Sequence, residues 1–257
     1  MLAAFTASTL FGFSFMFSRL VLAQVDRTVL LSWRFFIAVA VMCLMMLAGR
    51  LGVPGCEGFR LHPGRVTKQD WLLLLLLGLF EPVLYFIGES IGITRTNSSF
   101  AAVMIALVPL ASTLFAAVFL KEKPTWKQLL CAALSVFGVV VVSLVGAGQG
   151  TVTVVGVLAL LLAIICGGGF TTLSRRLNGY SAFERTFAIF SLGLVWFFTA
   201  ALLRGIGLQE IWAARRLPWF LISVFYLGAL SSVAAYYLFN ASLNVLTVAR
   251  SAAFVNW

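Results

Sequence analysis

The sequence contains eight stretches of about 20 mostly apolar residues, each long enough to cross a lipid bilayer as an α-helix. They lie near 2–22, 29–48, 71–92, 98–120, 128–147, 152–173, 183–203 and 218–240. A ninth apolar stretch begins near 246 and covers about half of a spanning length. Because 62% of the residues are hydrophobic and only 10% are charged, the sequence predicts an all-α polytopic protein embedded in the lipid bilayer.

Basic residues cluster in the loops between these stretches, where they indicate topology rather than nucleic-acid binding. With the amino terminus inside, the inner side holds Arg50, Arg60, Arg65, Lys68, Lys121, Lys123, Lys127, Arg175, Arg176 and Arg185. The outer side holds Arg27, Arg95, Arg204, Arg215 and Arg216. This bias predicts a multi-pass protein of the plasma or inner membrane with a cytoplasmic amino terminus, and the net charge of +10 requires no nucleic-acid partner.

The two halves of the chain resemble each other. The segment FSRL at 17–20 recurs as LSRR at 173–176, Gly78 recurs as Gly228, and Tyr85 recurs as Tyr236. The spacings are 156, 150 and 151 residues. Because duplication of a unit with five spans places the second copy in the opposite orientation, the sequence predicts an inverted repeat of five transmembrane helices. Eight complete spans and part of a ninth are present.

Longer segments resemble a known family. Gly12 within LFGFSFMFSRL, Arg34 within WRFF, the run TRTNSSFAAVMIALVPLASTLFAAVFLKEKPTW at 94–126 and TVARSAAF at 247–254 are similar to the EamA family of the drug/metabolite transporter superfamily. The resemblance implies a first EamA-like five-helix repeat at 1–147, an incomplete second repeat at 152–257, and export or exchange of small metabolites. It also implies ten helices, so we expect the chain to stop within the ninth, about 40 residues short of the complete repeat pair.

Glu81 is the best-placed ionisable residue inside a predicted span. It lies at the midpoint of the third apolar stretch, next to Pro82, which has no N–H to donate to the carbonyl of Gly78. A carboxyl beside freed backbone groups at the midplane is typical of a binding site in a discontinuous helix. Pro109, in the middle of the fourth stretch, predicts a second distortion at the same depth. The alternative is a glutamate that only bonds neighbouring helices, beside a proline kink without further use.

Two more residues accompany Glu81 on the third span. Tyr85 lies one helical turn further on and therefore shares a face with Glu81. Glu89 lies about 80° around an ideal helix from Glu81, close to the outer interface. It is adjacent to Gly88 and near Gly92, whose spacing favours close helix packing. A structural role and a role at the site stay equally open for Glu89.

Arg34 enters the second span to a depth of roughly 8 Å, between the depths of the two glutamates. We expect it to pair with one of them, while binding of a substrate anion and snorkelling to the interface remain alternatives. In the second half, Tyr236 and Asn240 form the polar face that corresponds to Tyr85. The candidates for substrate binding or coupling are therefore Glu81, Tyr85, Arg34, Glu89, Tyr236 and Asn240, and the helix-breaking or cavity-forming candidates are Gly12, Pro82, Pro109 and Gly168.

The chain lacks the residue patterns of an enzyme. Its aspartates and its single histidine fall in loops, and no metalloprotease, serine-hydrolase or nucleotide-binding motif is present. The cysteine spacing suits no metal site, and no cofactor is indicated. The leading hypothesis is a secondary transporter that exports or exchanges a small polar metabolite such as an amino acid, with proton coupling and a homo-oligomer left open. An inactive, truncated membrane protein is the alternative, and an intramembrane enzyme is disfavoured.

Overall fold

The computed structural model describes residues 2–62, 64, 66–122, 124–126, 130, 133–134, 136–138, 141, 152–248 and 251. The predicted fifth span at 128–147 and the predicted ninth span from 246 lie largely outside these residues. Seven helical segments in the described part are long and apolar enough to cross a membrane. They are Phe5–Leu22, Arg27–Arg50, Lys68–Arg95, Ser99–Phe119, Val154–Arg176, Ala182–Leu203 and Phe220–Val245. They match seven of the eight predicted spans and confirm an all-helical, polytopic architecture.

The described regular elements are helices of three kinds. The α-helices are α1 Leu2–Leu22, α2 Arg27–Arg50, α3 Lys68–Gly78, α4 Tyr85–Arg95, α5 Ser98–Ile105, α6 Val108–Phe119, α7 Val154–Arg176, α8 Ala182–Leu203, α9 Leu208–Ala213, α10 Phe220–Phe225 and α11 Ala235–Val245. The π-helix Leu79–Leu84 joins α3 to α4, and the π-helix Tyr226–Ala234 joins α10 to α11. A 3-10 turn, Ala214–Arg216, follows α9.

Polar side chains in the loops fix where several helices begin. Asp26 accepts a hydrogen bond from the amide of Thr28 and so caps α2. The Thr153 hydroxyl accepts from the amide of Gly156 and caps α7. Asn97 caps α5 in the same way. These caps satisfy amides at helix starts that have no partner within the helix, which matters most near a bilayer where water is scarce.

Two spans are interrupted at their prolines. Glu81, next to Pro82, has φ −148° and ψ 117°, which is not helical, and the surrounding turn is the π-helix Leu79–Leu84. The fourth span is divided between α5 and α6, with Pro109 in the first turn of α6. By contrast, α1 runs without a break through Gly12, and α7 runs without a break through Gly168. These two glycines therefore do not break their helices, so of the two roles expected from the sequence, helix-breaking or cavity-forming, the helix-breaking one is not observed at either position.

The connections determine which helix ends share a face of the bundle. We call the face where α1 begins the amino-terminal face. On the opposite face, the Thr153 hydroxyl donates to the carbonyl of Arg95 at 3.0 Å, and Arg204 pairs with Asp26 at 3.4 Å. Since Arg95 and Asp26 both lie on that opposite face, α7 begins there and α8 ends there. It follows that α7 ends, and α8 begins, at the amino-terminal face.

The main helix–helix contacts join the two halves of the chain, and two of them involve the π-helices. α2 packs along α8, where the ring of Phe35 stacks on Phe197 with centroids 5.6 Å apart and lies 5.5 Å from Phe190. α1 packs against the π-helix Tyr226–Ala234 and α11. α7 packs against α4 and the π-helix Leu79–Leu84. Each π-helix is thus packed against helices of the other half of the chain.

Candidate functional site

A cavity of about 180 Å³ lies beside the two interrupted spans. Its walls come from α1, α2, the first π-helix, α4, α5, α6, α7 and α11, so both halves of the chain contribute. Most of the wall is apolar and aromatic. The charged residues and the polar residues central to the site are Arg34, Glu81, Tyr85, Glu89, Thr171 and Tyr236.

Glu81 is held at the cavity wall by contacts from the other half of the chain. Its side chain is 5% exposed, and the Tyr236 hydroxyl donates a hydrogen bond to it. Pro82 packs on Gly193 of α8, where a Cβ would lie 2.6 Å from the proline Cγ. Because no side chain larger than hydrogen fits there, Gly193 lets the interrupted segment approach α8 and fixes the position of the carboxyl.

Tyr85 and Glu89 line the same cavity as Glu81. Glu89 is 5% exposed, so its side chain is buried within the protein. The 80° separation assumed an unbroken helix, whereas the non-helical Glu81 and the π-helix change the register before α4 begins. The flanking glycines pack against α7: a Cβ on Gly88 would lie 2.5 Å from the carbonyl oxygen of Ala159. This close packing turns Glu89 toward the cavity.

Arg34 does not pair with a glutamate. Its Nε donates to the Ser232 hydroxyl at 2.9 Å, and its Nη2 donates to the Ser231 hydroxyl at 3.3 Å. Its guanidinium carbon lies 4.2 Å from the ring centroid of Phe86. Within the described part of the chain, no carboxylate oxygen comes within 4.0 Å of the guanidinium nitrogens. The pairing expected from the sequence is therefore replaced by two neutral hydroxyls.

Gly228 explains how those serines reach Arg34. A Cβ on Gly228 would lie 2.7 Å from the Cβ of Ile37 and 2.8 Å from the carbonyl oxygen of Arg34. The second π-helix can therefore lie directly on α2, which brings Ser231 and Ser232 to the same guanidinium. Depth along a helix, which is all that the sequence provides for Arg34, does not contain this information.

Asn240 is not part of the cavity wall. Its side-chain oxygen accepts from the Ser174 hydroxyl at 2.7 Å, and its side-chain nitrogen donates to the Thr186 hydroxyl at 3.0 Å. Its backbone carbonyl accepts from Arg185 Nη2 at 2.9 Å. Asn240 lies one helical turn beyond Tyr236, toward the amino-terminal face, so it meets α7 and α8 rather than the cavity.

Arg185 is a candidate that the sequence does not single out. The sequence groups it with the inner-side cations near the start of α8, but its side chain is 0% exposed. Its guanidinium donates to the backbone and hydroxyl oxygens of Ser174, to the carbonyl of Asn240 and to the side chain of Asn244. The pair Asn240 and Asn244, spaced four residues apart in an apolar span, was the available signal.

The remaining candidates divide between cavity and packing positions. Gly12 lines the cavity, and a Cβ there would meet nothing within 4 Å. Gly168 instead lies against α6, where a Cβ would be 2.8 Å from the Cβ of Ala111. Its neighbour Gly167 lines the cavity in its place. Pro109 follows Val108, which lines the cavity, and accepts a hydrogen bond from Thr113 on its carbonyl at 2.8 Å.

The described residues contain no group of three or more His, Cys, Asp or Glu side chains that could hold a metal ion. The chemistry available at the site is therefore that of its own side chains. It comprises two buried carboxyls, one guanidinium already bonded to hydroxyls, two tyrosine hydroxyls and several aromatic rings. Buried carboxyls and tyrosine hydroxyls of this kind can bind a proton or a small cationic group.

Solved structures contain the same architecture. One crystal structure superposes with a TM-score of 0.72 and covers 99% of this chain and 82% of the other chain. The sequences are 21% identical, so this similarity concerns the fold alone.

Two relatives with curated names are described as a transporter and as an exporter. The chain is 28% identical, over 98% of its length and 79% of the other protein, to an uncharacterized transporter, YcxC, of Bacillus subtilis. It is 26% identical, over 84% of its length and 68% of the other, to a probable terminal-alkyne amino-acid exporter of Streptantibioticus cattleyicolor. The model of the EamA-like transporter family matches residues 1–144, more than half of the chain. The chain therefore belongs to the EamA-like transporter family.

Proposed function

We propose that this membrane transporter is a secondary carrier that exports or exchanges a small metabolite bearing an amino group, such as an amino acid, in exchange for protons. The observation that carries the proposal is Glu81, a buried carboxyl at an interrupted helix that lines the cavity and accepts a hydrogen bond from Tyr236 of the other half. A charged carboxylate is costly in the bilayer interior unless a cation accompanies it. Glu81 therefore requires either a proton or a cationic group beside it.

The charge balance of the cavity favours a cationic ligand. Glu81 and Glu89 both line it, and Arg34 is the one basic residue among its described walls. Because Arg34 already donates to Ser231 and Ser232, it neutralises the carboxyls from a distance only. Aromatic faces in the wall add attraction for an ammonium group. The volume of about 180 Å³ suits a small solute. The printed name of the Streptantibioticus relative, an amino-acid exporter, supports the same class.

The architecture we propose is an inverted repeat, with units at 1–147 and 152–257. Exchanging α1 with α7, α2 with α8, and Lys68–Arg95 with Phe220–Val245 leaves the main packing pairs unchanged: α1 packs on the eighth predicted span, α7 packs on the third, and α2 packs on α8. Such exchange is what a two-fold relation requires. An odd number of spans per unit then orients the copies oppositely, the usual basis of alternating access.

Protonation of Glu81 is the step that a direct experiment can isolate. Glu81→Gln keeps the shape of the side chain and removes its titration. Purified protein in liposomes, with a lumenal pH dye and radiolabelled neutral and basic amino acids as probes, would report substrate and proton movement together. We expect Glu81→Gln to abolish proton-coupled movement while leaving the folded protein intact. Glu210→Gln, an exposed glutamate outside the cavity, is the matched control and should transport normally.

Normal proton-coupled transport by Glu81→Gln between about pH 5 and pH 8 would contradict the coupling role, because a glutamine side chain neither takes up nor releases a proton over that range. Absence of both solute and proton movement in the unmodified protein, with every probe, would favour the alternative of a non-transporting membrane protein.

We also propose that the amino-terminal face is cytoplasmic, in the plasma or inner membrane. The loops of that face carry Arg50, Arg60 and Lys121, in keeping with the positive-inside rule. On a background without the other native cysteines, Cys56 should react with a membrane-impermeant maleimide in inside-out vesicles and stay unlabelled in intact cells. Gln209→Cys, exposed on the opposite face, should behave in the reverse way. Labelling of Cys56 in intact cells would reverse the orientation.

A further inference from the structure

Arg185 is a buried cation that has no carboxylate partner in the part of the chain that the structure describes. Its side chain is 0% exposed, although it lies in the first turn of α8, close to the amino-terminal face. Among the described residues, no carboxylate oxygen lies within 4.0 Å of its nitrogens, and its Nε has no hydrogen-bond acceptor. Burial of a guanidinium destabilises the folded protein unless its N–H groups find hydrogen-bond acceptors. The residues that supply acceptors to Arg185 are therefore expected to matter for function.

Those neighbours belong to three different helices. Arg185 extends from α8 and donates through Nη1 to Ser174 of α7, both to the backbone carbonyl and to the hydroxyl at 3.1 Å. Through Nη2 it donates to the carbonyl of Asn240 and to the side chain of Asn244, both in α11. Asn240 also bonds Ser174 and Thr186 directly. The cluster, which we call the Arg185 cluster, therefore ties α7, α8 and α11 together at one point.

The Arg185 cluster lies between the cavity and the amino-terminal face. Thr171 and Tyr236 line the cavity, whereas Ser174 and Asn240 lie three and four residues further along the same two helices, toward that face. Residues with this spacing are one helical turn apart on the same side of a helix. The Arg185 cluster thus joins α7 and α11, two of the helices that line the cavity, on the side of the cavity nearest the amino-terminal face.

The chemistry of the cluster suits a contact that opens repeatedly. All the acceptors of Arg185 among the described residues are neutral carbonyl, hydroxyl and amide oxygens. Bonds from a guanidinium to neutral oxygens are weaker than those to a carboxylate, so water can replace them when the helices separate. A carboxylate in the same place would make a stronger bond and resist separation.

We propose that Arg185 is the positioning residue of a gate between the cavity and the amino-terminal face. Its bonds to α7 and α11 keep the cavity closed to that face, and they break when the cavity opens there. The inference rests on the proposed transport function only in assuming that the cavity must open to this face. It assigns no substrate contact to Arg185 itself.

Access to Gly12 from each face tests the gate without any substrate. Gly12 lines the cavity, and a side chain there meets nothing within 4 Å, so Gly12→Cys places a thiol in the cavity. On a background lacking the four native cysteines, the probe is a membrane-impermeant, cationic methanethiosulfonate applied from one side at a time to full-chain protein in vesicles of known orientation. The measured quantity is the rate of modification from the amino-terminal face.

Arg185→Gln should raise that rate by about tenfold, because loss of two or more hydrogen bonds across the gate shifts its equilibrium toward the open form. Arg176→Gln is the matched control. Arg176 is exposed, and among the described residues its one side-chain hydrogen bond is a donation of 3.3 Å to the carbonyl of Phe119, so the rate should be unchanged.

Substitutions at Asn244 keep the test decisive if Arg185→Gln does not fold. Asn244 is exposed, so its replacement leaves the core intact. Asn244→Ala removes one acceptor and should raise the rate, whereas Asn244→Asp supplies a carboxylate to Arg185 and should lower it. Opposite shifts from one position are not expected of a merely structural residue. Unchanged rates in Arg185→Gln and Asn244→Ala, or a faster rate in Asn244→Asp, would overturn the proposal.

Failure of the gate and failure of the transport proposal give different results. Modification of Gly12→Cys requires neither proton coupling nor a transported solute. If Glu81→Gln transports normally while Arg185→Gln still accelerates modification, the coupling role fails and the gate stands. If Glu81→Gln abolishes coupled transport while Arg185→Gln leaves the modification rate of Gly12→Cys unchanged, the gate fails and the transport proposal stands.

Discussion

Arg19 and Arg175 make corresponding hydrogen bonds at opposite faces of the bundle. Arg19, near the end of α1, donates through Nη1 to the carbonyl of Ile93 in the last turn of α4. Arg175, near the end of α7, donates through Nη1 to the carbonyl of Leu243 in the last turn of α11. A cation near the end of a helix compensates carbonyls that have no partner within it. The two segments FSRL and LSRR thus perform the same local task in both halves.

The glycines of the repeat behave in a similar way. A Cβ on Gly78 would lie 3.1 Å from Leu192 of α8, and a Cβ on Gly228 would lie 2.7 Å from Ile37 of α2. Each glycine comes just before or within a π-helix and lets it approach the helix that crosses it. The short sequence matches between the halves therefore mark positions where the backbone of one span must lie close to another.

Tyr236→Phe should separate hydrogen bonding to Glu81 from packing. The tyrosine ring is surrounded by aromatic rings, including Phe11 at 5.1 Å and Phe190 at 5.2 Å, and phenylalanine keeps these contacts. Loss of the hydroxyl removes the hydrogen bond to the carboxyl, which we expect to slow proton-coupled transport by about tenfold. The measurement is initial transport rate against pH in liposomes.

Tyr237→Phe is the matched control for that substitution. Tyr237 is the next residue along and packs on Phe59 with ring centroids 5.8 Å apart, away from the cavity wall. Its variant should transport at the normal rate with the normal pH profile. Equal losses in the two variants would mean that the hydroxyl of Tyr236 has no special part in the cycle.

Removing the serine partners of Arg34 should change its choice of acceptor. In the double variant Ser231→Ala and Ser232→Ala, the guanidinium loses both hydroxyl partners and is expected to turn toward a cavity carboxyl, since a buried guanidinium needs acceptors. It would then compete with the cationic solute, so the solute KM should rise about tenfold with little change in the amount of folded protein.

Ser223→Ala controls for loss of a hydroxyl in the same span. The Ser223 hydroxyl is buried and has no hydrogen-bond partner among the described residues. Its removal should leave KM unchanged. A double serine variant with unaltered KM would indicate that Arg34 stays where it is, held by its stacking on Phe86.

The spans and the interrupted helices could be predicted because they follow from single-sequence rules. Apolar length defines a span, and a proline such as Pro82 or Pro109 removes a backbone donor wherever it stands. The side-chain partners of Arg34 and Arg185 could not be predicted in this way. They depend on which faces two helices present to each other, and a π-helix between residues changes that register without a clear sequence signal.

Burial of Arg185 shows the same limit. Its sequence position, four residues after the helix cap Ser181, is equally compatible with an exposed loop cation. What makes it a core residue is the arrival of Asn240 and Ser174 from two other helices. The positive-inside rule counts charges but does not distinguish a cation that faces water from one that ties helices together.

Gly228→Ala and Gly12→Ala should differ in their effects on stability, although both should impair transport. At Gly228, the added methyl would lie 2.7 Å from the Cβ of Ile37 and 2.8 Å from the carbonyl oxygen of Arg34, so the second π-helix must move off α2. Overpacking of this kind costs about 1–3 kcal/mol, and displacement of Ser231 and Ser232 should also impair the site. We expect a lower melting temperature in detergent together with slower transport.

At Gly12 the added methyl meets nothing within 4 Å, so the melting temperature should be unchanged. The methyl occupies part of a cavity of only about 180 Å³ and should weaken solute binding. Thermal unfolding by fluorescence and transport assays on the same preparations would compare the two. A destabilised Gly12→Ala, or a Gly228→Ala variant with normal melting and transport, would contradict the packing described for these helices.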